Sequence, residues 1–251
     1  MRHTAANLLA LLTLAFLSGC STVGVHHAPA RNSMDFGPRE EIRICLYAED
    51  GISEDDALRI MAPVQNEFTA YGVDISIPWV RPWTRDGFFS GGIFAAVAMQ
   101  QLEAPCDRLL TLVGRNAGDV LWGLVGAEVL GAVDLATHTR GYVVGKRASI
   151  NQLLQSPSDV AVHETYHLLG CSHNLVLSDC YGRIRELKQL TRDNRSAGND
   201  FFAAITAKGK PVLNRRQADT LVHTANRTRP AQSGPSAACA SASAAAAAHP
   251  C

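Results

Sequence analysis

The sequence predicts an α+β fold built as one domain with appendages, and three observations lead to this prediction. The chain has 251 residues, of which 47% are hydrophobic and 18% are charged, so it can bury a core. Short segments in which apolar and polar residues alternate predict strands, whereas longer segments with apolar residues three or four positions apart predict helices. The two kinds of segment follow one another along the chain, which favours a shared core.

The first half of the chain is predicted to form three strands and two helices. These are a strand over 43–49, a helix over 53–72, a strand over 73–77, a small-residue helix over 91–103 and a strand over 108–113. Ser53 precedes three acidic residues, a pattern typical of a helix N-cap. Pro63 lies inside this helix, and we expect it to kink the helix or end it early. Pro78 and Pro82 are expected to stop the second strand.

The second half of the chain is predicted to form two β segments and three helices. These are β segments near 127–135 and 141–148, a helix from Ser156 to Gly170, and helices over 183–192 and 214–227. The β segments fall in an apolar stretch with several glycines, from Val120 to Val144. Ser156 followed by Pro157 is a strong helix start, because serine caps the N-terminus and proline suits the first turn.

The predicted helix that ends at Gly170 carries residues that suit a metal site. His163 and His167 are four positions apart, so their imidazoles lie on one helix face and can reach a single ion. Glu164 can reach a water on that ion without being a ligand. Gly170 permits a left-handed turn that brings His173 back towards the pair. The alternative is a helix with two core histidines and an unrelated third, but the full pattern is rare by chance in a chain with nine histidines.

This pattern resembles the zinc signature of the metzincin metallopeptidases. The resemblance implies that His163, His167 and His173 bind Zn²⁺. It also implies that Glu164 is the catalytic general base and that Gly170 forms the turn after the active-site helix. The implied chemistry is metal-assisted hydrolysis of a peptide bond.

The resemblance further implies a metzincin-like catalytic domain over residues 41–229, with a mixed twisted sheet, an active-site helix, a zinc cleft and a smaller, mainly helical C-terminal part. The order of the predicted elements agrees with that of the family, apart from the small-residue helix. The edge strand, which in the family lies antiparallel to bound substrate, falls at Ala127–Thr137. The chain has no methionine after Met99, so the Met-turn of the family is missing and Leu177 or the region of Cys180 must support the floor of the site.

The first forty residues predict export and lipid anchoring. Residues 1–19 contain the short apolar run of a signal peptide, too short to cross a bilayer as a permanent helix. The Leu-Ser-Gly-Cys sequence ending at Cys20 resembles a bacterial lipobox, which implies lipidation of Cys20 and a place in the cell envelope; Ser21 favours the outer membrane. Residues 20–40 are predicted to tether the domain. The alternative is an ordinary signal peptide cut nearby.

The remaining cysteines and the C-terminal residues complete the organisation. Six of the seven cysteines follow the lipobox cysteine, and an even number in an exported chain permits three disulfides. A bond between Cys171 and Cys180 would close a short loop, and Cys45 can pair with Cys106 if their strands are neighbours. The sequence alone leaves these pairings open. Residues 230–251, rich in Ala, Ser and Pro, are predicted to be a low-complexity tail.

The sequence therefore predicts an envelope-anchored zinc metalloendopeptidase, whose partners are a protein or peptide substrate and the membrane that holds its anchor. The formal net charge is zero, with 23 basic and 23 acidic residues, and gives no reason to expect a nucleic-acid partner. Two alternatives stay open. One is a zinc amide hydrolase that acts on cell-envelope material, and the other is a non-catalytic binding module whose zinc is structural and has a fourth protein ligand.

Overall fold

The computed structural model describes residues 23–85, 90–114, 129–146 and 155–228, which form eight strands and six helices. The predicted signal peptide, Cys20, the first two residues of the predicted edge strand (127 and 128) and the predicted tail lie outside the described residues. The strands are β1 (Glu40–Glu49), β2 (Val73–Ser76), β3 (Val80–Trp83), β4 (Arg108–Val113), β5 (Gly131–Val133), β6 (Arg140–Val144), β7 (Ala204–Ile205) and β8 (Pro211–Val212). The helices are α1 (Ala28–Ser33), α2 (Glu54–Thr69), α3 (Ser90–Ala98), α4 (Pro157–Leu168), α5 (Ser178–Ser196) and α6 (Arg215–Thr228).

Six of the strands form one mixed sheet in the order β2-β1-β4-β6-β5, and β3 pairs with β1 beyond the end of β2. Leu110 of β4 lies between Leu46 of β1 and Gly141 of β6, and these central strands are parallel. The edge strand β5 is antiparallel to β6, with Ala132 opposite Tyr142. The described residues therefore have the predicted α+β class, with a mixed sheet.

Helices cover both faces of this sheet. The side chains of β1 alternate, so that Ile44 and Leu46 enter a core shared with α2, α4 and α5, whereas Cys45 enters a smaller cluster with α6 on the other face. A third cluster joins α3 to β4 and β6. Because burial of apolar surface is the main favourable term in folding, this arrangement fixes α4 firmly against the sheet.

The helix α4 begins and ends as its sequence predicts. Ser156 caps it, with the Ser156 hydroxyl accepting from the Asp159 backbone N–H and the Asp159 carboxylate accepting from the Ser156 backbone N–H. The helical residues end at Leu168, and Gly170 has a φ of +72°. The start and the end of the helix that carries the histidines are therefore set by local chemistry.

The C-terminal part of the domain is held to the end of α4 by a buried arginine. The guanidinium of Arg108, fully buried at the start of β4, donates to the backbone carbonyl oxygens of Leu168, Phe202 and Ala203 at 2.8–3.1 Å, and to its neighbour Asp107. These bonds satisfy carbonyl groups that would otherwise be buried without partners. They connect the last turn of α4 to the segment that leads into β7.

Two disulfides join elements of the domain, and both pairings are the ones considered from the sequence. Cys45 in β1 is bonded to Cys106 just before β4, and Cys171 is bonded to Cys180 in α5. The second bond ties the turn after α4 to the next helix. Within the described part of the chain, no helix combines the length and apolar character needed to cross a membrane.

The described part of the predicted tether lies against the domain. Val23 is almost completely buried, and α1 follows it from Ala28 to Ser33. Phe36 packs edge-on against Tyr71 and Tyr181 in the main core. From Val23 onward, the chain is therefore in contact with the folded domain.

Candidate metal centre

The structure brings the three predicted ligands together. The Nε2 atom of His163 lies 3.2 Å from Nε2 of His167 and 3.0 Å from Nε2 of His173. Each of the three residues can offer one ring nitrogen, and these nitrogens all lie within 4.8 Å of one another. The three histidines are therefore positioned to bind a metal ion.

The turn after α4 supplies the third histidine. Gly170 adopts a positive φ that an L side chain rarely tolerates, and a Cβ atom there would lie 2.6 Å from Cγ2 of Ile205 in β7. The glycine is therefore required both by the backbone conformation and by the close approach of Ile205. The Cys171–Cys180 disulfide then holds the chain so that His173 faces the helix.

Three imidazole nitrogens are a donor set that a metal ion can use. Four-coordinate zinc with Zn–N bonds of about 2.0–2.1 Å has ligand nitrogens roughly 3.3 Å apart, close to the observed Nε2 separations. The Nδ1 atom of His167 is 2.7 Å from the carbonyl oxygen of Cys171. When Nδ1 donates to that oxygen, the free electron pair of the ring is on Nε2, which points into the cluster.

Burial adjusts the protonation of the cluster. It lowers the pKa of His167 to about 3, and the neighbouring His163 adds to this effect. Burial also lowers the pKa of His173. Both rings are therefore neutral near pH 7, the state in which imidazole binds a metal.

Glu164 occupies a buried place beside the cluster. Its side chain is 5% exposed, and burial raises its pKa to about 8. A divalent cation held by the adjacent histidines would lower this pKa through its charge. The carboxyl group packs against the backbone of Gly131 in β5, so closely that a Cβ atom at Gly131 would lie 2.6 Å from Oε1 of Glu164. The predicted base thus touches the edge strand of the sheet.

One histidine near the cluster gives no signal in the sequence. His138 is buried in the turn between β5 and β6 at a φ of 54°, and its Nδ1 is 2.7 Å from the carbonyl oxygen of Ile205. It lies close enough to His167 to contribute electrostatically to the lowered pKa of that residue. His138 belongs to no motif, so only the folded chain shows that it lies beside the cluster.

The two cysteines of this region and Tyr181 have structural partners. The thiols of Cys171 and Cys180 are joined to each other, which leaves neither as a thiolate for a metal. The hydroxyl of Tyr181, eight residues after His173, is buried and lies 3.1 Å from the backbone nitrogen of His27, which donates to it.

Comparison with known proteins does not place the chain in a family. No protein-family model matches the chain, and no curated protein matches it.

Proposed function

We propose that this chain is a zinc-dependent hydrolase that cleaves peptide bonds, a metalloendopeptidase anchored in the bacterial cell envelope. The observation that carries the proposal is the position of Glu164: its buried carboxyl lies on the same helix as two of three clustered histidines and touches the edge strand of the sheet. The proposed metal ligands, the proposed base and the edge strand β5 therefore lie next to one another.

Zinc is the proposed metal. Three clustered imidazole nitrogens suit zinc, since two of their separations, 3.0 and 3.2 Å, are close to those in a tetrahedral zinc site, and the eleven-residue pattern resembles the metzincin zinc signature. His163, His167 and His173 would hold it. When bound by three protein ligands, zinc supplies Lewis acidity and lowers the pKa of water to about 7.

The chain's own groups perform the proton transfers in this proposal. The carboxylate of Glu164 accepts a proton from the attacking water and later donates it to the amine that leaves. The contact with Gly131 keeps that carboxylate in one place. The burial of Glu164 excludes bulk water that would compete for the same hydrogen bonds.

The edge strand β5 is the proposed site for an extended substrate. In the described sheet, β5 pairs with β6 on one side and ends the strand order on the other. The backbone N–H and C=O groups of such an edge can pair with an extended peptide. A peptide aligned there would pass beside Glu164, because Gly131 is the first residue of β5.

A metzincin-like fold is proposed with one departure. The strand order, the antiparallel edge strand and the helix that follows β6 support the resemblance. The Met-turn has no counterpart, since no methionine follows Met99. The side chains nearest to the position of a Cβ atom at Gly170 are those of Ile205 in β7 and Arg183 in α5.

A structural zinc site would need a fourth protein ligand, and the two nearest candidates are not free to bind zinc. Cys171 and Cys180 are the cysteines closest in sequence to His173, and their disulfide removes both thiolates. An open fourth position favours catalysis over a purely structural role. A zinc amide hydrolase for envelope material would use the same groups, and a panel of casein, gelatin and purified murein distinguishes the two substrate classes.

The proposal is tested with two variants of the full chain. We expect Glu164→Gln to retain zinc and to lose hydrolysis of casein by about 1,000-fold, because an amide cannot accept the proton. The matched control is Glu54→Gln, which changes an exposed carboxylate at the start of α2 and should leave the rate unchanged. We expect His173→Ala to lower the zinc content, measured by elemental analysis. Wild-type turnover in Glu164→Gln would contradict the proposed base.

A further inference from the structure

The segment of residues 23–27, which we call the N-terminal strap, is paired with the chain that directly follows the third histidine. The backbone N–H of Val25 donates to the carbonyl oxygen of Leu175 at 3.1 Å, and the N–H of Leu177 donates to the carbonyl oxygen of Val25 at 3.0 Å. Val25 and Val176 form a parallel bridge. The strap and the segment that follows His173 therefore form a small two-stranded structure beside the metal-binding turn.

The strap is fixed at both of its ends. The carbonyl oxygen of Val23 accepts from the N–H of Asn174 at 3.0 Å, and Val23 is 2% exposed. At the other end, Nε2 of His26 lies 3.2 Å from the carboxylate of Glu67, and the N–H of His27 donates to the hydroxyl of Tyr181. The start of the described chain therefore has a defined position beside the metal centre.

This surface presents apolar side chains to the outside. Val25 is 66% exposed, Leu175 is 60% exposed and Val176 is 40% exposed, and the hydrogen bonds described above place the backbones of these residues next to one another. Neighbouring large apolar residues at the surface of a folded domain indicate a contact with a membrane or a partner. Single exposed residues would carry no such meaning, but here three lie together.

The position of Cys20 indicates that a lipid bilayer is what contacts this apolar patch. Three residue steps separate Cys20 from Val23, and an extended chain spans at most about 3.3–3.6 Å per residue. Val25, the patch residue closest in sequence, is five residue steps from Cys20 and therefore lies within roughly 18 Å of the predicted point of acylation. Acyl chains attached at Cys20 would hold the bilayer surface within that distance of the patch.

We infer that Val25, Leu175 and Val176 form a membrane-contact patch that holds the metal centre at the surface of the bilayer. The inference rests on the proposed lipid anchor at Cys20 and is independent of the proposed hydrolysis. His173 lies two residues before Leu175, so the metal centre and the patch are neighbours along the chain.

The test places a fluorescent side chain in the patch of the full, acylated protein. Leu175→Trp and Val25→Trp are reconstituted into vesicles of phosphatidylglycerol and phosphatidylcholine, the latter with or without bromine on its acyl chains. Bromine quenches tryptophan on contact, and the emission of the wild-type protein is subtracted. The matched control is Leu213→Trp, which is 36% exposed. The carbonyl oxygen of Leu213 accepts a hydrogen bond from Asn194 in α5. Asn194 lies about 24 Å along α5 from the first residue of that helix, which is the end next to the patch, so residue 213 is far from the patch.

We expect bromine to quench the added emission at residues 25 and 175 about threefold more than at residue 213, because interfacial side chains enter the headgroup–acyl boundary. Equal quenching at all three positions would overturn the inference, as would a mass for the N-terminal peptide that shows no acyl chain on Cys20. Hydrolysis of casein is measured on the same vesicles. A quenched but inactive protein supports the membrane contact and contradicts the proposed function, whereas an active protein with equal quenching does the reverse.

Discussion

The substitution Gly131→Ala tests whether the edge strand positions the proposed general base. Gly131 needs no unusual backbone conformation for its place in β5, so its role is steric. A Cβ atom there would lie 2.6 Å from both Cγ and Oε1 of Glu164 and 2.8 Å from Cδ. The added methyl group therefore meets the side chain of Glu164 along most of its length.

The size of the effect follows from these distances. Ordinary contacts begin at 3.4 Å, so the carboxyl group must move by about 0.8 Å to accept the methyl group. A misplacement of about 1 Å at a reacting group can lower the rate about 100-fold, which corresponds to about 2.7 kcal/mol in the activation free energy. We expect kcat of Gly131→Ala to fall about 50-fold. Overpacking should also lower the free energy of unfolding by about 1–3 kcal/mol.

The assay separates this effect from damage to the metal site. The zinc content and the kcat and KM for a fluorogenic peptide are measured on the same preparation, along with the urea midpoint of unfolding. We expect full zinc content and a lowered kcat, because the methyl group meets Glu164 and none of the three histidines is among its nearest contacts. The matched control is Gly182→Ala in α5, where a Cβ atom meets nothing within 4 Å.

Two results would refute the reasoning. If Gly131→Ala retains the wild-type kcat, then either the carboxyl group of Glu164 moves without consequence or it does not act on the substrate. If the zinc content falls with the rate, the contact supports the metal cluster instead of the base. The control should keep its rate and, as a helical Gly→Ala change in open space, gain up to about 1 kcal/mol in stability.

The remaining predictions concern stability. Arg108→Met should lower the free energy of unfolding by about 3 kcal/mol in urea titrations, because it leaves the buried carbonyls of Leu168, Phe202 and Ala203 without their donor; a loss below about 1 kcal/mol would contradict the proposed connection. Burial raises the pKa of Tyr71 from 10.0 to about 12, so the folded state keeps a proton that the unfolded state releases in this window. The contribution of Tyr71 to the free energy of unfolding is complete below pH 10 and is lost as the pH rises through about 12. The urea midpoint should therefore fall between about pH 9 and about pH 11, and Tyr71→Phe should reduce that fall; an equal fall in both proteins would refute the assignment.

Local sequence signals predicted the elements whose determinants lie close together in the chain. The limits of β4 match the apolar run from Arg108 to Val113, and α4 has the predicted cap at Ser156 and ends just before Gly170. The cluster of histidines follows from helical spacing and one glycine turn. In each case, the interactions that decide the structure span only a few residues.

Other features depend on partners that are distant in sequence. The helix α2 continues through Pro63 to Thr69, because Pro63 is on an exposed face while Met61, Val64 and Phe68 are buried on the other. Of the two outcomes expected at Pro63, a kink or an early end, the early end was therefore wrong. Strand β3 includes Pro82, which an edge strand accepts because proline needs no ladder partner there.

The site shows the same division between local and distant contacts. Nothing near Gly131 in sequence indicates that its Cα faces the Glu164 carboxyl, and nothing near Arg108 indicates that it bonds to residues 202 and 203. Both contacts require the sheet and the helices to be in place. Periodicity identifies the face that a residue occupies but not the residue opposite to it.

The N-terminal strap has a consequence for the order of folding. The three histidines are within eleven residues of each other, yet the turn that carries the last of them is bonded to Val25, 150 residues earlier, and the end of α4 is bonded to Arg108. Closing such long loops has an entropic cost that short-range contacts do not have. We therefore expect the motif to be completed late in folding, after the chain on both sides of it has been ordered. A metal ion that binds the finished cluster stabilises those distant contacts in return.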